Sequence, residues 1–243
     1  MTILRAVYML GFMVLATFTF AMLDKVFNLG LISEEAADVF TTLFILICTV
    51  VFFIPGLRKS FSKWFLLDRK KIVQSICFPI LAAILMDFLE NLYRLIPYWL
   101  GSDIIGVGSN QITTIKGVSD LGLELGTSIL VPFNEEFIFR YLMFVGVPLL
   151  IVYTLNDFDW FNRIKRLIEK RKKMYLISWI IIVNLLFGMA HGPDLLSFPI
   201  YFSSGILFTF FFLRYGFLSA WLSHGMSNLF SGVALQIILN LFV

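Results

Sequence analysis

Seven apolar stretches follow one another along this chain, at 6–23, 39–57, 72–96, 121–155, 175–191, 198–213 and 217–242. A helix rises 1.5 Å per residue, so roughly 20 apolar residues cross the hydrocarbon of a bilayer. Repeats of that length read as spanning helices. Composition is needed only to settle the class. Charged residues make up 14% of the 243, against about 25% in soluble domains. The expected fold is all-α, a polytopic membrane protein with about seven transmembrane helices. Residues 1–243 read as a single integral-membrane domain, because the longest polar pieces, 97–120 and 156–174, are loop-sized.

Individual stretches carry their own expectations. The first follows a lone Arg5, is long for a signal-peptide core and precedes further spans, so it reads as a retained helix. The third carries Asp87, Glu90 and Arg94 close to one helical face near its end, the pattern of an interfacial helix end. The fourth is too long for one straight crossing and is expected to break or tilt near Pro132. Cys48 and Cys77 sit inside apolar runs and suggest no disulfide framework. Gly106-Val107-Gly108 lacks the third glycine of a dinucleotide fingerprint and reads as loop.

Loop charge then suggests an orientation. Segment 58–71 holds six Lys/Arg against one Asp, and segment 156–174 holds seven against three acids. The polar pieces that alternate with them are acidic: 24–38 has one Lys against four acids, and Asp194 is the charge of the short fifth loop. Alternating basic and acidic loops fit seven crossings with a cytoplasmic N-terminus and an outer C-terminus.

The fourth stretch contains Asn134-Glu135-Glu136-Phe137-Ile138-Phe139-Arg140. Charge at membrane depth costs several kcal/mol unless it is paired, hydrated or used, which makes these residues a candidate site. Glu136 and Arg140 are four apart, acid first, and are expected to pair. Glu135 points about 100° away and is left without a partner on its own helix. The chain's two histidines lie in two further apolar stretches. His191 falls in Phe187-Gly188-Met189-Ala190-His191-Gly192-Pro193, at the last turn before the proline. His224 and Asn228 are four apart on one face of the last stretch.

These residue types suit hydrolysis. Glu135 can take a proton from water, a histidine can share that water or protonate a leaving amine, and Asn228 can donate to a developing oxyanion. A second version binds zinc through His191, His224 and Glu135 with one position left for water. The glutamate version requires no cofactor. Ser223 and Ser227 flank His224, but nothing marks either as a nucleophile on a strained elbow.

Taken together, Glu135-Glu136-x-x-x-Arg140, Phe187-x-x-x-His191 and His224-x-x-x-Asn228, in that order, resemble the CAAX protease and bacteriocin-processing family of intramembrane endopeptidases. That group includes the type II CAAX prenyl endopeptidases and the Abi proteins. The resemblance covers a core at 121–235, while the helices of 1–100 show no family signal and are where substrate choice would vary. It implies peptide-bond hydrolysis in an intramembrane catalytic cavity. By motif position Glu135 is the water-activating base, His191 its partner, Asn228 an oxyanion donor and His224 a further site residue. Glu136 and Arg140 support the architecture, and Phe187 belongs to the second motif. The sequence departs at Tyr141, where many members have glycine, a change expected to narrow the cavity.

The expected function is cleavage of a small peptide, a pheromone or bacteriocin precursor, or a lipidated CAAX-like tail, in a bacterial plasma membrane. The partners are that substrate and the lipid bilayer, with no nucleic acid. An alternative is a non-catalytic immunity or scaffold protein that binds a bacteriocin or peptide; a transporter would need polar sites on broken helices in two related halves. The charge count places the site toward the outer leaflet, whereas prenyl-processing relatives imply access from the cytosol.

Overall fold

The computed structural model describes residues 3–109, 114–155 and 172–242, which are helices and short connections with no strand among them. It is an all-α polytopic membrane protein. Five helices are long and apolar enough to cross a membrane, or six if a bent pair counts as one crossing. Most of the basic segment 156–174 lies outside the described residues.

Helix α1 (Ile3–Phe27) is followed by a short helical entry and then α2 (Thr42–Phe53). The expected second span does not run on to Leu57. Ile54 is extended, as a residue before proline prefers, and Pro55 begins α3 (Pro55–Phe65) after a bend of 107°. The basic segment expected as loop is thus half helix. Leu57, Phe61, Trp64 and Phe65 recur at helical spacing and pack into the main core, while Arg58, Lys59 and Lys63 stay exposed. Phe61 meets Phe217 edge-on at 4.9 Å and Tyr141 at 5.0 Å, and Trp64 stacks on Phe212 at 5.2 Å. A charged stretch hid an amphipathic helix that closes one end of the bundle.

Helix α4 (Ile72–Trp99) packs along α8 (Phe217–Phe242). Between them in sequence come the helical run α5 (120–155), α6 (Lys172–Ala190) and α7 (Phe198–Tyr215). Gly216 alone turns α7 into α8, at φ 107°, with the Trp64 carbonyl where a side chain would sit. In the α6–α7 connection, the Ser197 hydroxyl and backbone N–H both donate to Asp194 and hold its carboxyl below the usual range.

Run α5 is not broken at Pro132 but changes helix type around it. Ser119 caps it by accepting from the Gly122 N–H at 3.1 Å. A π turn at Gly126–Leu130 precedes an α segment at Val131–Glu136, and a longer π segment follows at Phe137–Gly146. Proline supplies no N–H and crowds the carbonyl four residues back, here that of Ser128. The wider turn relieves that crowding and leaves carbonyls without their usual partners. Helix α8 takes them up: Asn228 Nδ2 donates to the Thr127 carbonyl at 2.8 Å and Trp221 Nε1 to that of Ile129 at 2.9 Å. Gly225 lets the two backbones touch, since a Cβ there would meet the Ser128 carbonyl.

Candidate active site

The α segment that follows the first π turn sets the headings of both glutamates. Glu136 is fully buried and faces inward between α5, α7 and α8. Its Oε2 lies 3.2 Å from Arg140 Nε, the expected pair, and its Oε1 lies 2.9 Å from His224 Nδ1. Arg140 is equally buried; Nη2 donates to the Gly205 carbonyl at 3.1 Å and the guanidinium lies 4.4 Å from the centre of the Phe187 ring. Two charges and an aromatic face thus neutralise one another away from water, the arrangement that makes a buried ion tolerable.

Glu135 takes the other heading and lines a cavity of about 470 Å³. Its Oε2 is 3.8 Å from His191 Nε2 and 3.7 Å from His224 Nε2. These spans are too long for direct hydrogen bonds and suit a bridging water. Both imidazoles are held from behind. His191 Nδ1 lies 2.9 Å from the Phe187 carbonyl, which can only accept, so Nδ1 carries the proton and Nε2 presents its lone pair to Glu135. His224 Nδ1 faces Glu136, whose carboxylate fixes the same tautomer. Tyr201 stacks on His191 at 4.6 Å and Phe208 on His224 at 4.6 Å, fixing both ring planes.

Asn228 also lines the cavity. One of its amide N–H groups is spent on Thr127, and an amide has a second. The structure therefore brings Glu135, His191, His224 and Asn228 to one cavity with Phe187 behind the histidines, and keeps Glu136 and Arg140 in support. Tyr141 is elsewhere. It is buried against Phe61 and Phe137 with its hydroxyl 3.4 Å from the Leu57 carbonyl, so it does not narrow the cavity.

Another wall of the cavity comes from α4. Asp87, Glu90, Asn91 and Arg94 of α4 all line it. Asp87 is 1% exposed, which corrects the reading of these residues as an interfacial helix end. Ser227 donates to Asp87 at 2.6 Å, and Ser204 and Ser203 donate to Glu90 at 2.6 and 3.1 Å. The i, i+3 spacing of the two acids on an apolar helix was the one available signal.

Among the described residues no group of three or more His, Cys, Asp or Glu side chains is arranged to hold a metal ion. The zinc set of His191, His224 and Glu135 does not meet that arrangement.

Residues 118–230 match the family model described as type II CAAX prenyl endopeptidase Rce1-like. Over that segment the chain is similar to the CAAX protease and bacteriocin-processing family. This family is one of intramembrane proteases, which places the chain among peptidases in general terms and points to peptide or prenylated-protein substrates in a membrane. Comparison with curated proteins and with solved structures gives no match. The family segment contains Glu135, Glu136, Arg140, Phe187, His191, His224 and Asn228; Asp87, Glu90 and Arg94 lie outside it.

Proposed function

We propose that the protein is a glutamate-dependent intramembrane endopeptidase. The observation that carries this reading is the Glu135 carboxylate facing the Nε2 atoms of both histidines, at 3.8 and 3.7 Å, on the wall of the cavity. Glu135 removes a proton from a water molecule shared with His191, and the water oxygen attacks the scissile carbonyl carbon. The free N–H of Asn228 stabilises the tetrahedral oxyanion, and His224 is a further site residue beside Glu135. The proton held by Glu135 passes to the leaving nitrogen, the C–N bond breaks, and a carboxylic acid and an amine are released. Glu136 and Arg140 act by fixing His224 rather than by touching the substrate.

The substrate we infer is a small peptide, a pheromone or bacteriocin precursor, or a lipidated protein tail, processed in a bacterial plasma membrane. The cavity is lined by the C-terminal half of α4, the middle of α8 and chiefly the N-terminal half of α7, with no residue of basic α3 on its wall. By the positive-inside rule the cavity then opens away from the cytoplasm.

The test is a mass-spectrometric comparison of secreted and membrane peptides from cells carrying the wild-type protein and its Glu135→Gln variant. A precursor should accumulate uncut in the variant, with hydrolysis lowered at least about 10²-fold at equal membrane abundance. Unchanged peptide profiles would instead favour the non-catalytic binding protein.

A further inference from the structure

The wall of the cavity supplied by α4 has no part in the hydrolysis just described, yet it carries two acids. Asp87 and Glu90, one turn apart, share the face that lines the cavity. Their side-chain partners among the described residues are neutral hydroxyls: Ser227 for Asp87, Ser203 and Ser204 for Glu90. Asp87 Oδ2 has no hydrogen-bond partner among the described residues, although Asp87 is almost wholly buried. The guanidinium on the cavity lining is engaged elsewhere. Arg94 donates Nε to the Ile105 carbonyl at 2.9 Å and Nη1 to Asn91 Oδ1 at 3.0 Å, and it forms no ion pair with either acid among the described residues. Hydroxyl donors satisfy lone pairs but leave the charge, and unpaired carboxylates at membrane depth mark use rather than packing.

We propose that Asp87 and Glu90 form a cation subsite that holds an ammonium or guanidinium group of the bound peptide. An N–H donor of that kind would reach Asp87 Oδ2 and Glu90 as charge-assisted hydrogen bonds. With Glu135 on the same lining, three carboxylates face the cavity against one committed guanidinium, so a cationic ligand meets a field of the opposite sign. The ligand's charge comes either from a Lys or Arg side chain or from a free N-terminus. The subsite rests on the peptidase reading for calling its ligand a substrate, and its test is built on binding so that the two can fail separately.

The protein as the Glu135→Gln variant is placed in nanodiscs with labelled peptides of one sequence. These carry lysine, glutamine or glutamate at a scanned position, with the N-terminus free or acetylated. At one position lysine should bind at least about tenfold more tightly than glutamine, or else the free N-terminus should bind that much more tightly than the acetylated one. The first result assigns the subsite to a side chain and the second to a terminal amine. Adding Asp87→Asn and Glu90→Gln should erase the preference. Both changes retain an oxygen to accept from the serines, and Glu90→Gln alone serves if the pair impairs folding. Glu90→Lys should turn the preference toward glutamate. Equal binding of all peptides overturns the subsite, as does a uniform loss across peptides in the variants, which is what a purely structural role predicts. Cleavage of the same peptides by the protein with Glu135 intact reads the peptidase separately. Charge preference without cleavage sinks the peptidase and keeps the subsite, and cleavage without charge preference does the opposite.

Discussion

At the scale of single residues, Arg140 shows how much of a membrane site is electrostatic balance. It touches Glu136, the Gly205 carbonyl and the Phe187 ring, and water reaches none of these contacts. Arg140→Met fits the space but leaves Glu136 as an uncompensated buried charge, a loss of about 3–5 kcal/mol. Thermal unfolding of the purified protein should show this, and Glu136→Gln added to Arg140→Met should recover part of it. Charges were legible in the sequence where they interrupted an apolar run at its middle, which is why Glu135, Glu136 and Arg140 stood out. Asp87 did not, because acids close to the end of an apolar run are also what a helix emerging from lipid looks like. What distinguishes the cases is Ser227, 140 residues away, and nothing local encodes that contact.

At the scale of elements, the first π turn is the device that joins α5 to α8. Its carbonyls receive Asn228 and Trp221, and Gly225 permits the approach. Gly225→Ala should drive a methyl group into the Ser128 carbonyl, separate the helices and cost about 1–3 kcal/mol, with hydrolysis falling as His224 and Asn228 withdraw from Glu135. Gly56→Ala, where a Cβ meets nothing, is the control and should leave both stability and hydrolysis unchanged. Pro132 announced a disturbance in the sequence, but not its kind. Whether a proline kinks a helix or widens it depends on which neighbour can donate to the freed carbonyls, and that neighbour lies in α8. Helix α3 was missed for a related reason: its three basic residues, Arg58, Lys59 and Lys63, masked four apolar side chains at helical spacing.

At the scale of the whole molecule, basic α3 lies at one end of the bundle and the loop beyond α4 at the other. If the cavity opens away from the cytoplasm, then with Cys48 and Cys77 replaced by alanine, a membrane-impermeant maleimide should label Asp103→Cys on intact cells. Lys59→Cys should be labelled only after lysis. The reverse pattern would turn the molecule over and give the cavity cytosolic access. The succession of spans was legible because length and apolarity set it directly, whereas the number of crossings was not, since α5 and the bent α2–α3 pair are divided pieces. One feature of the architecture bears on how such a protein can be rebuilt. The wall with Glu135, His191 and His224 and the wall with Asp87 and Glu90 come from separate stretches of chain, joined by the packing of α4 along α8. A chimera that exchanges α4 for that of a relative should therefore graft a new taste in substrates onto an untouched engine of hydrolysis.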